Sequence, residues 1–127
     1  MDASAIMPVL INEPEKEGII NAVRNTELLA PLILPYEIGN ALTRLMKRQV
    51  LNNSQIIEAY NNFIKIPMRL LEVDIENALM IACEYAIYAY DAYYLEIACR
   101  MNLPLLTLDG SMKRIALDLN VRVLEER

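Results

Sequence analysis

Short, almost continuously apolar segments alternate along this chain with longer stretches whose apolar residues recur at helical spacing. The apolar segments cover residues 28–34, 70–73, 103–108 and 121–124. Strands without polar alternation are typical of parallel sheets, because crossover helices cover both faces of such a sheet. The pattern therefore predicts an α/β fold of three layers, with a central parallel sheet flanked by helices.

Helix-start signals stand between the predicted strands. They are Pro14, Pro35, Asn53 or Ser54, Asp74, Asp91 and Asp109. Asn, Ser and Asp side chains accept hydrogen bonds from the first backbone N–H groups of a helix, and Pro fits its first turn. The chain has only three glycines and no low-complexity linker. We therefore expect a single domain over residues 1–127.

Charge, cysteine content and hydropathy restrict the class of protein. The chain carries 12 basic and 17 acidic side chains, and its net charge of −5 does not by itself favour a nucleic-acid binder. It has no histidine, and Cys83 and Cys99 lack the spacing of a zinc site, so we expect buried thiols. No basic segment opens the chain, and no uncharged apolar run approaches the ~18 residues of a membrane span. These features predict a cytoplasmic protein without membrane association.

Four carboxylates stand at predicted strand ends or helix starts among apolar neighbours: Asp2, Glu37, Asp91 and Asp109. Each alone is explained equally well as a helix cap. Together they would repel one another unless a divalent cation neutralised them. Oxygen ligands without histidine or thiolate favour Mg²⁺ or Mn²⁺ over zinc. Such ions suit phosphodiester hydrolysis, because they activate a bound water and stabilise charge on the phosphate.

These carboxylates belong to four short motifs that occur in a fixed order. The motifs are Asp2-Ala3-Ser4, Glu37 with Asn40-Ala41-Leu42, Tyr90-Asp91-Ala92 with Tyr94-Leu95, and Thr107-Leu108-Asp109. Each is weak alone, but four in order on an α/β pattern of this length are fairly specific. On these motifs the chain resembles the PIN domain family, in particular its VapC-type toxins, over essentially its whole length.

The resemblance implies a metal-dependent endoribonuclease that leaves 5′-phosphate and 3′-hydroxyl ends. It implies that Asp2, Glu37, Asp91 and Asp109 are catalytic and hold one or two Mg²⁺ or Mn²⁺ ions. It further implies that an outer layer of polar side chains orients these carboxylates. That layer consists of Ser4, Asn40 and Thr107. The implied partners are an RNA substrate, a second copy of the chain and a small antitoxin protein that covers the site.

The chain departs from the family pattern at its first residues. In the family several apolar residues precede the first aspartate and form the central strand, whereas here only Met1 precedes Asp2. Either the start is truncated or the central strand is very short, with Asp2 held loosely.

Two further patterns are candidates for RNA binding. On the helix opened by Pro35, Arg44 and Arg48 share a stripe with Glu37 at ~100° per residue, which suits a track along a phosphate backbone. An ordinary solvated helix face explains the same spacing. Five tyrosines fall between residues 85 and 94. They can stack on unpaired bases, but structural packing or an interface is the favoured interpretation.

The alternatives to a nuclease are a phosphatase and a non-catalytic binding module. A phosphatase of the haloacid dehalogenase kind would need an aspartate two residues before Asp109, where Thr107 stands. A non-catalytic PIN-like module that binds RNA or a protein stays open, and the short start favours it. In either case the hydrophobic content of 55% predicts a homodimer through helical stretches at residues 56–66 and 79–94.

Overall fold

Seven helices and two strands lie within residues 1–125, the part of the chain that the computed structural model describes. In chain order they are α1 (Ala3–Leu10), α2 (Lys16–Val23), β1 (Leu28–Pro31), α3 (Leu34–Lys47), α4 (Asn53–Ile64), β2 (Met68–Leu71), α5 (Ile75–Tyr85), α6 (Ala89–Met101) and α7 (Gly110–Asp118). The parallel α/β organisation expected from the sequence is confirmed.

The sheet consists of β1 and β2, which pair in parallel from Leu28 opposite Met68 to Pro31 opposite Leu71. The connection between them contains α3 and α4. A second parallel pairing is a single bridge between Leu105 and Val123. Its backbone N–H of Leu105 donates to the carbonyl oxygen of Arg122 at 2.8 Å. The sheet is therefore smaller than four apolar segments predicted.

Proline explains two of the differences between the predicted and the observed strands. The predicted strand at residues 28–34 ends at Pro31, because Pro35 lies in the first turn of α3 and that helix begins at Leu34. The predicted strand at residues 103–108 forms only the bridge at Leu105, next to Pro104, which has no N–H to donate. The strand predicted at residues 70–73 lies two residues earlier, at Met68–Leu71.

Met1 and Asp2 lie between the two parallel pairings. The amino group of Met1 donates to the carbonyl oxygen of Leu29 at 3.4 Å, and the backbone N–H of Asp2 donates to that of Leu106 at 3.3 Å. The chain then turns at once into α1. These two residues stand where the family pattern has a central strand.

The core lies among the helices around this sheet. It includes Leu34, Ile38 and Leu42 of α3 and Tyr94 and Leu95 of α6. Among the helices of residues 1–125, α6 has the largest number of buried residues. Its buried residues are Ala92, Tyr94, Leu95, Glu96, Ile97 and Ala98. A helix buried over several faces is a rigid support for the side chains that it carries.

Two further observations concern expectations from composition. Within residues 1–125, no helix has the length and apolar character needed to cross a membrane. Cys83 and Cys99 are free thiols, as expected, but both are exposed, and their predicted burial is wrong. Each lies on the outer side of a helix, and helical position in the sequence did not reveal which side faces the core.

Candidate active site

All four carboxylates of the predicted site lie at helix N-termini. Asp2 caps α1 and Asp109 caps α7, where its Oδ1 accepts from the N–H groups of Ser111 at 2.8 Å and Met112 at 3.1 Å. Glu37 and Asp91 lie in the first turns of α3 and α6. The partial positive charge of a helix N-terminus stabilises a carboxylate. Four such termini therefore supply a favourable setting for four acids.

Asp2 is the most enclosed of these acids, with 5% of its surface exposed. The hydroxyl of Ser4 donates to its Oδ1 and that of Thr107 donates to its Oδ2, both at 2.7 Å. The N–H of Ala5 adds a third contact, at 3.3 Å to Oδ1. The expectation that a short start leaves Asp2 loosely held is wrong, because three donors from two segments fix its carboxylate.

Ser4 and Thr107 in turn tie Asp2 to the loop before α7. The N–H of Leu108 donates to the Ser4 hydroxyl oxygen at 2.9 Å, and the N–H of Asp109 donates to that of Thr107 at 3.1 Å. Both hydroxyls thus accept from the loop and donate to Asp2. This network links the first and fourth predicted acids through the backbone of the loop.

Glu37 is held by Tyr94, one of the five tyrosines for which the sequence favoured packing or an interface. The phenol of Tyr94 donates to Oε1 of Glu37 at 2.6 Å, and its ring is buried on α6. Tyr94 follows Asp91 by three residues, so both lie on one side of the helix. The motif quoted above contains Tyr94, but its partner is 57 residues away and left no local signal.

Electrostatics links the four acids. Burial raises the pKa of Glu37, the Tyr94 hydrogen bond opposes that rise, and the charges of Asp2 and Asp91 add to it. Burial also raises the pKa of Asp91, followed by the charges of Asp109 and Asp2. Burial and the bond to Glu37 raise the pKa of Tyr94. The charges of Asp2, Asp91 and Asp109 therefore each act on at least one other acid of the set.

The side chains do not form a ready-made metal site. Among residues 1–125, no three Asp, Glu or Cys side chains stand close enough together to hold an ion. Several carboxylate oxygens accept no hydrogen bond from any group within residues 1–125. They are Oε2 of Glu37, both oxygens of Asp91 and Oδ2 of Asp109. A hard, oxygen-seeking cation matches oxygens of this kind.

The remaining predicted residues lie along α3. Asn40 and Arg44 are exposed and line a cavity of about 700 Å³ that Glu37 also lines. The side chain of Asn40 makes no hydrogen bond within residues 1–125, so its role in orienting carboxylates stays a prediction. Arg48 is exposed at the C-cap of α3 and does not line this cavity. Of the two predicted RNA-binding arginines, Arg44 is the one beside the site.

The sequence profile of the PIN domain family matches residues 1–117. This chain belongs to the PIN domain family. The resemblance drawn from the four motifs is confirmed, and those motifs all lie within the matched range.

Named relatives agree with this assignment. Ribonuclease VapC3 of Pyrobaculum aerophilum is 30% identical over 117 residues, which cover 88% of this chain and 89% of that protein. Ribonuclease VapC12 of Mycobacterium tuberculosis is 23% identical over 114 residues, covering 88% of this chain and 87% of the relative. The crystal structure of PAE2754 from Pyrobaculum aerophilum superposes with a TM-score of 0.70 at 23% identity, covering 90% of this chain and 82% of that one. The structural likeness shows the PIN fold.

Proposed function

We propose that this PIN domain is a Mg²⁺- or Mn²⁺-dependent endoribonuclease and the toxin of a VapBC-type toxin–antitoxin pair. The observation that carries the proposal is the placement of all four acids at helix N-termini, where burial, and beside it the charges of other acids of this set, raise the pKa values of Glu37 and Asp91. Relatives named ribonuclease VapC match almost the whole chain. Acids that repel one another in a folded protein suit a cation site better than a structural role.

The chemistry of the donors fits a hard divalent cation. Asp2, Glu37, Asp91 and Asp109 would hold it through oxygen atoms only. When bound, such an ion lowers the pKa of a coordinated water and stabilises negative charge on the phosphate. Ser4 and Thr107 orient Asp2, and Tyr94 orients Glu37. Outer hydrogen bonds of this kind fix the geometry of ligands that would otherwise rotate freely.

The partners proposed for this PIN domain are RNA, a small antitoxin that covers the site and a second copy of the chain. Arg44 beside Glu37 supplies a positive charge for the RNA backbone. Two Mg²⁺ ions would cancel the charge of the four acids, so the net charge of −5 does not oppose RNA binding at the loaded site.

The decisive experiment compares cleavage of an RNA mixture by the purified chain with Mg²⁺, with Mn²⁺ and with EDTA. Cleavage is expected with either metal and is lost in EDTA and in Asp91→Asn. Asp74→Asn is a matched control, since Asp74 also starts a helix, but within residues 1–125 its carboxylate accepts hydrogen bonds from Asn77 alone. Cleavage that persists in EDTA and in Asp91→Asn would contradict the proposal.

One observation favours a second candidate. The absence of a three-carboxylate cluster within residues 1–125 suits a PIN-like module that binds RNA or a protein without cutting. Such a module would bind RNA equally in Mg²⁺ and in EDTA, and Asp91→Asn would not lower that affinity. The same purified proteins therefore distinguish the two candidates.

A further inference from the structure

A cleft beside Glu37 has two exposed tyrosines in its wall. Tyr36 and Tyr90 line the 700 Å³ cavity, with 76% and 56% of their surfaces exposed. Each directly precedes a predicted catalytic acid, since Tyr36 adjoins Glu37 and Tyr90 adjoins Asp91. The volume lies in the range of sites for small ligands. The cleft is therefore continuous with the proposed active site.

The orientation of one of these rings is already restrained. The ring of Tyr93 meets that of Tyr90 edge to face, with centroids 6.0 Å apart and planes at 89°. Because Tyr36 and Tyr90 lie in the first turns of α3 and α6, the helix backbones position their rings. A large apolar ring held in solvent next to a catalytic acid is typical of a surface that stacks on a ligand.

The polar residues of the cleft match a nucleotide. Arg44 offers a guanidinium for a phosphate, and the amide of Asn40 offers a donor and an acceptor for a base edge. Aromatic side chains stack on bases whose faces are free, as in single-stranded RNA, whereas paired bases in a duplex cover their faces. A flat aromatic ligand with an adjacent negative charge is thus favoured over an aliphatic peptide.

We propose that Tyr36 and Tyr90 form a nucleobase subsite that takes one unpaired base next to the scissile phosphodiester. This rests on the proposed ribonuclease function and adds the part of the substrate that the site recognises. Asn40 contacts the edge of the base, and Arg44 contacts the phosphate on its far side.

The test measures KM and kcat for an unstructured RNA, with Tyr36→Ala and Tyr90→Ala as variants. Loss of one stacking contact is expected to raise KM by about 5- to 100-fold, with a much smaller change in kcat. Phenylalanine at either position recovers most of the affinity, because it retains the ring. Tyr88→Ala is the matched control, since Tyr88 is 84% exposed nearby and does not line the cleft.

Fluorescence anisotropy separates failure of this subsite from failure of the proposed function. With a labelled single strand and a fully paired duplex of the same sequence, the alanine variants should lose affinity for the single strand and keep that for the duplex. This comparison needs no cleavage, so it holds if the chain proves to be a non-catalytic module. Unchanged KM and unchanged single-strand affinity in both alanine variants would overturn the subsite and assign the cleft to a protein partner.

Discussion

At the scale of single residues, the pairing of Tyr94 with Glu37 determines how that carboxylate is presented. One oxygen of Glu37 accepts the phenol of Tyr94 at 2.6 Å, which leaves the other for a ligand. A hydrogen bond of this length to a charged acceptor is stronger than one between neutral groups. The tyrosine thereby fixes the carboxylate without occupying the oxygen that would meet a metal.

Replacing Tyr94 by phenylalanine keeps the buried ring and removes this bond. We expect Mn²⁺ affinity to fall by about 10- to 100-fold, the usual effect of losing a group that orients a metal ligand. Isothermal titration calorimetry measures it. Tyr60→Phe is the control, because Tyr60 lies on α4 and contacts Phe63 rather than an acid. Equal Mn²⁺ affinity in the two variants would mean that Tyr94 has no positioning role.

The raised pKa values of Glu37 and Asp91 predict how stability depends on pH without metal. Between the unfolded and the raised folded pKa, the folded state binds more protons than the unfolded state. The free energy of unfolding therefore falls as pH rises above about 4 through the folded values. Urea denaturation in EDTA at several pH values measures this slope.

Variants show which acids cause this dependence of the free energy of unfolding on pH. Asp91→Asn should flatten it and raise stability near neutral pH, because it removes one member of the repelling set. Glu58→Gln, on an exposed position of α4, should leave it unchanged. A slope of the same size in Asp91→Asn and the parent chain would show that Asp91 is not strained by its neighbours.

At the scale of elements, Thr107 joins the loop before α7 to the start of α1. Its side chain is buried and donates to Asp2 at 2.7 Å, while its oxygen accepts from the N–H of Asp109 at 3.1 Å. Thr107 thereby ties Asp2, whose backbone lies between the two parallel pairings, to the loop before α7.

Thr107→Val retains the shape of the side chain and removes the hydroxyl. The buried carboxylate of Asp2 then lacks one donor, so we expect a loss of about 1–3 kcal/mol in the free energy of unfolding. Chemical denaturation without metal measures it. Thr107→Ser should recover most of the loss. A valine variant as stable as the parent would mean that Asp2 finds another donor.

Elements whose signals are local could be predicted from the sequence. Asp74 and Asp109 cap α5 and α7 as predicted, because their side chains bond N–H groups only two or three residues away. The cap of α4 is Asn52 rather than Asn53 or Ser54, where a reciprocal bond with Gln55 decides between neighbouring candidates. The strand pairing at Leu105 depends on chain segments far apart, and apolar composition alone overestimated it.

The same distinction between local signals and long-range contacts holds for the candidate site. The four acids come from short motifs and stay a prediction, as do the orienting roles of Ser4 and Thr107, although both hydroxyls contact Asp2. For Tyr94 the sequence indicated packing or an interface, and its bond to Glu37 could not be predicted because it spans 57 residues. Tyr36 and Tyr90 were not distinguished from other tyrosines, because exposure is a property of the folded chain.

At the scale of the whole molecule, binding of metal to the folded state alone should stabilise the protein. At a hundredfold excess over the dissociation constant the gain is about 2.7 kcal/mol. Thermal melting with Mg²⁺ or Mn²⁺ at millimolar concentration measures it, with Ca²⁺-free buffer and EDTA as reference. Asp91→Asn should largely remove the dependence, and Asp74→Asn should keep it. A melting temperature that neither metal changes would contradict the nuclease proposal.

Self-association is the second property of the whole molecule, and the exposed faces of α4 and α5 supply its reason. Ile57 and Ile64 of α4 are 61% and 59% exposed, and Tyr60 lies between them at helical spacing on the same side. On α5, Leu79 and Met80 are exposed as well. These helices include most of the stretches that the sequence marked for a dimer interface, and apolar surface concentrated on helices is usually covered.

We therefore expect a homodimer, of twice 14.5 kDa, in sedimentation equilibrium at micromolar concentration. Ile57→Glu and Leu79→Glu place a charge in the interface, so at least one of them should shift the protein towards monomer. Leu117→Glu is the matched control, because Leu117 is a 63% exposed apolar residue on α7. A two-fold axis through α4 or α5 uses the same surface of both copies. If the parent chain sediments as a 14.5 kDa monomer, these helix faces do not bind a second copy, and a protein partner is the remaining candidate to cover them.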